Sequence, residues 1–227
     1  KTYTSTGNMV IRGIDLRLEA GEIVWLIGAN GAGKSTAIKC IVGILRPDSG
    51  EICFDGKNVQ QDLSGFKAKT GYVPDLSNAY ERISGIHYLE RVASVYGISD
   101  AEERKERIYE ISKKLAFEKY LPHPIKTYSH GTKQKLNFIA GVLHRPRLLI
   151  LDEPMTGLDP GSTIALIDRI KEYAAERNSV FFSSHLLNVV ENVCDTVGIL
   201  KNGNLTGQYR VKGLNSGVKE LYREFNR

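Results

Sequence analysis

Eight residues, Gly28-Ala29-Asn30-Gly31-Ala32-Gly33-Lys34-Ser35, constrain this chain more than any others, because they fit the pattern G-x-x-x-x-G-K-S/T. The flanks are the ones that pattern requires. Ile23-Val24-Trp25-Leu26-Ile27 before it is a continuous apolar run of the kind buried on both faces in a parallel sheet. Ser35 to Leu45 after it has helical period, with Ile38, Ile41, Val42 and Leu45 on one face. Glycines admit positive φ and let backbone N–H groups converge on an anion, and the helix N-terminus adds partial positive charge. Lys34 supplies a point charge for β- and γ-phosphates and Ser35 a hydroxyl for Mg²⁺. A bound triphosphate is the implication. The bland alternative is a glycine-rich turn with no ligand, yet a chance match in a chain this long is on the order of 1% at roughly 7% Gly.

A second feature reinforces the first. Leu148-Leu149-Ile150-Leu151-Asp152-Glu153 is an apolar strand that delivers two carboxylates at its C-terminal end, where open α/β sheets place their ligands. Asp152 can hold Mg²⁺ through its water shell, and Glu153 can polarise an attacking water. Hydrolysis of the triphosphate is therefore chemically available.

The rest of the chain alternates strand and helix. Val10 to Leu18 alternates loosely, and Glu51 to Phe54, Asp55-Gly56 and Lys57 to Val59 predict a hairpin, so an added β-layer is expected. From Ser84 to about Leu121 the period is helical, amphipathic over Ile86 to Tyr96 and charged over Asp100 to Leu115. Ser129 can cap a helix with Leu136, Ile139, Ala140 and Leu143 on one face. A helix from about Ser162 to Glu176, a strand Val180 to Phe182, a helix from Leu186 and a strand Val197 to Leu200 with an Asn202-Gly203 turn follow.

Composition excludes several classes. At 227 residues, 41% hydrophobic and 25% charged, the chain can bury a sizeable core, and no run of about 18 apolar residues exists to span a membrane. Cys40, Cys53 and Cys194 show neither a disulfide framework nor a CxxC metal spacing, which suits a reducing compartment. No signal-peptide pattern begins at Lys1. The formal charge is +5, with 11 Lys+Arg against 5 Asp+Glu in residues 101–150. Much of that block lies around Asp100 to Lys114, which reads as a solvated helix rather than a basic, aromatic-studded stripe, so no nucleic acid is expected as a partner.

Further motifs resemble the ATP-binding cassette (ABC) family, the nucleotide-binding subunits of ABC transporters, over essentially the whole chain. Tyr128-Ser129-His130-Gly131-Thr132-Lys133-Gln134-Lys135 looks like a variant of the family signature L-S-G-G-Q, Gly157-Leu158-Asp159-Pro160 like its D-loop, and Ser183-Ser184-His185 like its switch histidine. The resemblance implies a P-loop NTPase α/β core with a mostly parallel sheet, an N-terminal antiparallel β-layer and an inserted α-helical subdomain. Residues 1–74 and 147–227 would form the core and 75–146 the helical part. ATP and Mg²⁺ are the implied ligands. Gly28 to Ser35 with Thr36 would bind nucleotide, Tyr3 would stack on adenine, and Glu153 and His185 would act in hydrolysis. Ser35, Asp152 and Asp75 would serve the metal, while Ser129, Gly131 and Asp159 would complete the ATP site of a second ATPase subunit in a head-to-tail dimer. An integral membrane permease is the implied further partner, at the cytoplasmic face of the membrane, and the YSHGTKQK form and short chain look more like export than sugar-import ATPases.

Local sequence offers separate support for an anion at residue 129, because Lys133 and Lys135 sit near the positive end of a helix dipole, although two solvated lysines explain them equally. Three positions in two motifs depart from the family pattern. Asp75 stands after Gly71-Tyr72-Val73-Pro74 where the family has Gln, and His130 and Thr132 replace a Gly and the Gln of the signature. The alternatives fit less well. A DNA- or ribosome-associated ABC ATPase would carry coiled coils or two cassettes. A GTP-binding switch would need a base-reading N-K-x-D motif beside the D-x-x-G match Asp62-Leu63-Ser64-Gly65.

Overall fold

The first strand, β1 (Ile23–Ile27), is buried at every residue and lies inside a six-stranded sheet. The computed structural model describes residues 1–2, 7–75, 80–185, 187, 191–214 and 217–226. Around β1 the sheet is completed by β4 (Thr70–Val73), β5 (Leu148–Asp152), β6 (Ser179–Ser183), β7 (Thr196–Lys201) and β8 (Asn204–Arg210), in the order β4-β5-β6-β1-β7-β8. All neighbours pair in parallel except β7 and β8. The short hairpin of β2 (Cys53–Phe54) and β3 (Lys57–Asn58) stands apart. The fold is therefore α/β with a mostly parallel sheet and added antiparallel strands, as the motifs imply.

Both faces of the sheet are covered, which is why β1 and β5 read as unbroken apolar runs. Ile23, Trp25 and Ile27 point to one core with Leu149, Leu151, Phe182 and Val197. Val24 and Leu26 point to the other, with Ile150, Phe181, Ile38 and Phe66. Trp25 stacks on Phe182 at 6.4 Å between ring centroids, and its indole N–H donates to the carbonyl of Ser184 at 3.0 Å. Each such buried apolar side chain contributes roughly 1.5–3 kcal/mol.

The helices begin at caps that local sequence specifies. Ser84 caps α3 (Gly85–Val95), Asp100 caps α4 (Ala101–Lys114), Ser129 caps α5 (His130–Val142) and Asp159 caps α6 (Pro160–Ala175), each accepting from a backbone N–H three residues on. On α4, ion pairs Lys105–Glu102, Arg107–Glu103 and Lys114–Glu110 bear out the solvated-helix reading of the basic block. The chain's last helix, α7 (Gly217–Asn226), buries Val218 and Leu221 in the core beside Val193 and Val197.

Several boundaries differ from expectation. Helix α1 (Lys34–Ile41) stops short of Leu45 because Gly43, at φ 73°, turns the chain left-handed. Asp62 and Gly65 belong to no switch motif: Asp62 caps α2 (Leu63–Ala68) by accepting from the Gly65 N–H at 2.8 Å. Residues 70–73, given no element in the sequence reading, form strand β4, and β8 extends past the Asn202-Gly203 turn, where positive φ at both residues suits a tight hairpin. Val10 to Leu18 forms no continuous strand. It lies along the β7–β8 turn through Arg12 N–H to Gly203 O and Leu205 N–H to Gly13 O, at 2.8 and 3.0 Å. The helix expected from Leu186 lies largely outside the described residues.

Candidate functional site

Strand β1 runs into a loop that depends on glycine at positions 28, 31 and 33. At Gly28 a Cβ would stand 2.5 Å from the carbonyl oxygen of Leu200, so the loop passes directly over the end of β7. Gly31 and Gly33 take φ of 80° and 109°, and no side chain caps α1 at Gly33. The first N–H groups of α1 thus point into the loop without a side-chain acceptor, the arrangement an anion nest needs.

Parallel pairing then brings distant chain segments to this loop. β6 lies between β1 and β5, with Asp152 opposite Ser183 in the register. The Ser183 hydroxyl donates to Asp152 Oδ1 at 2.7 Å and accepts the Glu153 N–H at 3.0 Å. Ser35 Oγ donates to the same Oδ1 at 3.1 Å. Asp152, nearly fully buried, is therefore held by hydroxyls from two elements.

Glu153 occupies a left-handed backbone position, φ 48°, where the strand ends. Its side chain is 13% exposed and faces two cationic or proton-bearing groups. Lys34 Nζ lies 3.4 Å from one carboxylate oxygen and His185 Nδ1 2.9 Å from the other. Lys34 also donates to the carbonyl of Gly28 at 2.9 Å. A cation, a carboxylate and an imidazole thus form one chain across the ends of β1, β5 and β6.

Asp75 lies within electrostatic reach of Asp152 and Glu153. Burial, followed by the charges of Asp152 and Glu153, pushes its carboxyl above the usual carboxylate range. Asp75 Oδ1 has no hydrogen-bond partner among the described residues, and its backbone carbonyl accepts from Gln134 Nε2 on α5 at 2.5 Å. The orphaned oxygen and the raised carboxyl fit a cation held nearby. No cluster of three or more His, Cys, Asp or Glu side chains among the described residues makes a metal site by itself. Ser35 and Asp152, joined through Oδ1 at 3.1 Å, and the unpartnered oxygen of Asp75 would suit Mg²⁺, which keeps most of its ligands as waters and phosphate oxygens.

The signature segment lies at the start of α5. Ser129 Oγ accepts from the Thr132 N–H at 3.2 Å and contacts the Thr132 hydroxyl at 2.8 Å. Asp159 accepts from the Ser162 N–H at 2.9 Å, and its hydrogen bonds with Ser162 hold its carboxyl below the ordinary range. Gly131 packs against Gly157, where a Cβ on Gly131 would stand 2.7 Å from the Gly157 carbonyl oxygen. The two lysines of this turn need no external anion: Lys133 pairs with Glu81 at 3.1 Å and Lys135 donates to the Leu115 carbonyl at 3.0 Å. That correction removes the local support for an anion at residue 129. Tyr3 lies outside the described residues. Ser183, Gln134 and Gly157 stand within motifs quoted from the sequence but are given no role of their own there, since their partners Asp152, Asp75 and His130 lie far away in the chain.

A sequence profile of the family described as "ABC transporter" matches residues 11–156. The chain belongs to the ABC transporter family. It is 36% identical to the ABC-type transporter ATP-binding protein EcsA of Bacillus subtilis (strain 168) over 217 residues, 96% of this chain and 86% of that protein. It is also 30% identical to the phosphonates import ATP-binding protein PhnC of Treponema denticola over 236 residues, 98% of this chain and 92% of the relative. A solved ATP binding subunit of an ABC transporter superposes with a TM-score of 0.87 at 32% identity, covering 96% of this chain and 93% of that one. The protein is thus an ABC ATPase with a P-loop fold, and its nucleotide is ATP. Among the described residues no helix is long and apolar enough to cross a membrane.

Proposed function

We propose that this ABC ATPase is the energy-supplying subunit of an exporter, binding and hydrolysing ATP while docked to an integral membrane permease at the cytoplasmic face of the membrane. The observation that carries the reading is Glu153, held between Lys34 at 3.4 Å and His185 at 2.9 Å at the mouth of the glycine loop. In this reading Gly28 to Thr36 cradle the phosphates with backbone N–H groups, and Lys34 turns its ammonium to the β- and γ-phosphates. Tyr3 stacks on the adenine. Ser35, Asp152 and Asp75 would hold Mg²⁺, which would supply neutralising charge to the phosphate oxygens. Glu153 accepts the proton of the attacking water, and His185 holds that carboxylate and meets the γ-phosphate.

In this reading Ser129, Gly131 and Asp159 complete the ATP site of a second ATP-binding subunit, so that ATP closes the dimer and hydrolysis reopens it. Residues 75–146 would move as a helical subdomain against a core formed by 1–74 and 147–227, with α5 linking the signature to Asp75 through Gln134. Export is favoured by the Tyr128 to Lys135 form of the signature. The ion-paired surface of α4 supports a partner set without nucleic acid.

The mass of Glu153→Gln in solution tests the cycle. A dimer with MgATP and a monomer with MgADP is the expected result, and a monomer with both overturns ATP-driven closure between two copies. With the permease in proteoliposomes, substrate added on the ATP side should stimulate hydrolysis. Stimulation only from the opposite side would make the system an importer.

A further inference from the structure

Strands β5 and β6 end together at one register pair, Asp152 opposite Ser183. Past that pair a side chain takes over from the ladder, because the Glu153 N–H donates to Ser183 Oγ at 3.0 Å. A backbone N–H can only donate, so the hydroxyl accepts there, and its single proton goes to Asp152 Oδ1 at 2.7 Å. Both directions of the Ser183 hydroxyl are thereby fixed, and the residue is wholly buried, away from competing water. The strand end that carries it is pinned as well. From β1, on the other flank of β6, the indole N–H of Trp25 donates to the Ser184 carbonyl at 3.0 Å.

Glu153 needs such a hold. Its φ of 48° is left-handed, a conformation that a residue with a Cβ keeps only where surrounding contacts impose it. Two backbone bonds impose it here: the N–H bonds to Ser183, and the carbonyl accepts from the Thr156 N–H at 3.1 Å. From this turn the side chain reaches Lys34 and His185, 3.4 and 2.9 Å from its two oxygens. We infer that Ser183 is a positioning residue for hydrolysis, which takes its orientation from Asp152 and fixes the backbone of Glu153 so that the carboxylate is aimed at the attacking water. Being wholly buried, it acts through Glu153 and not on the nucleotide. The inference rests on the reading of Glu153 as the base only for its kinetic arm.

Amide exchange in the nucleotide-free protein tests the link without turnover. In Ser183→Ala the Glu153 N–H loses its acceptor, so it should exchange at least about tenfold faster, while the amides of Ile150 and Leu151 within β5 keep their wild-type protection. Unchanged exchange at Glu153, or an equal acceleration at all three amides, overturns the inference. Single-turnover hydrolysis supplies the kinetic arm. Ser183→Ala should slow it by about 10–100-fold, with the half-saturating ATP concentration changed less than about threefold. Ser183→Cys should be slowed by a similar factor, because a thiol fills the position but hydrogen-bonds weakly. A wild-type rate in either variant, or a change confined to half-saturation, overturns the inference. In the Glu153→Gln background Ser183→Ala should cost less than about threefold more, since the group it positions is already disabled. The full loss in both backgrounds would show that Ser183 does not act through Glu153. Wild-type turnover in Glu153→Gln alone would refute the base reading, whereas unaltered Glu153 exchange in Ser183→Ala would refute the positioning.

Discussion

Lys34 and Glu153 form an ion pair, with Nζ 3.4 Å from Oε1, although one opens α1 and the other follows β5. The pair joins the group that would meet phosphate to the group that would activate water. Its two ends should separate by mutation. Lys34→Ala removes a charge-assisted contact to phosphate, each worth about 1.5–3 kcal/mol, so calorimetry should show ATP affinity falling by about tenfold or more. Glu153→Gln keeps the shape but cannot accept the water's proton, so single-turnover hydrolysis should slow by about 10²–10⁴ while affinity is retained. Wild-type turnover in Glu153→Gln would remove the base from the scheme.

Asp75 should show a conflict between stability and function. Its folded carboxyl is raised above the ordinary value of 3.8 by burial and by Asp152 and Glu153, so the folded state favours its protonated form. The stabilisation is complete below that value and is lost as pH rises through the folded pKa. Asp75→Asn should therefore unfold at higher urea than wild type at pH 7 and converge with it near pH 3. The same variant should need more Mg²⁺ for hydrolysis. An unaltered Mg²⁺ titration would take Asp75 out of the metal set.

His144 predicts a loss of stability in mild acid. Its ring stacks on Tyr96 at 3.6 Å between centroids, its Nε2 lies 3.3 Å from the Thr70 carbonyl, and burial holds its pKa below the ordinary 6.5. Here the folded state disfavours protonation, so this contribution is intact above pH 6.5 and is lost as pH falls through the folded pKa. Urea midpoints between pH 7 and pH 5 should decline in wild type and decline less in His144→Phe, which keeps the stack without a titrating group. Parallel declines would assign the acid sensitivity elsewhere.

Ser129 separates a helix cap from a phosphate contact. Ser129→Ala should cost about 1 kcal/mol in unfolding free energy, since the Thr132 N–H loses its acceptor. Ser129→Asp keeps an acceptor at the cap and should unfold near the wild-type midpoint. Its negative charge would oppose the γ-phosphate of the facing subunit, so ATP-dependent dimers should disappear by light scattering. Dimers that persist in Ser129→Asp would place Ser129 outside the shared site.

Much of the site is local and therefore legible in the sequence. The β1 run, the glycine loop and α1 follow one another, and the apolar strand β5 ends at Asp152 and Glu153. Helix caps are local too, which is why Ser129 reads correctly as an N-cap. Elements at sheet edges are less visible: Thr70-Gly71-Tyr72-Val73 has a glycine at its centre, and β8 is half-exposed and carries Thr206, Gly207 and Gln208 among its residues. Neither shows the apolar periodicity of a buried strand.

The sequence by itself determined a P-loop α/β chain with a triphosphate cradle and two carboxylates at a strand end, because those features are written in contiguous residues and in burial periodicity. Only the tertiary structure decided which groups face one another: Lys34 with Glu153, Ser183 with Asp152, Lys133 with Glu81, and His130 with Gly157. The physical reason is the order β5-β6-β1 in the parallel sheet. Parallel neighbours are joined by crossovers, so the strand ends that meet at the site come from distant parts of the chain, and periodicity records that a face is buried but not against what.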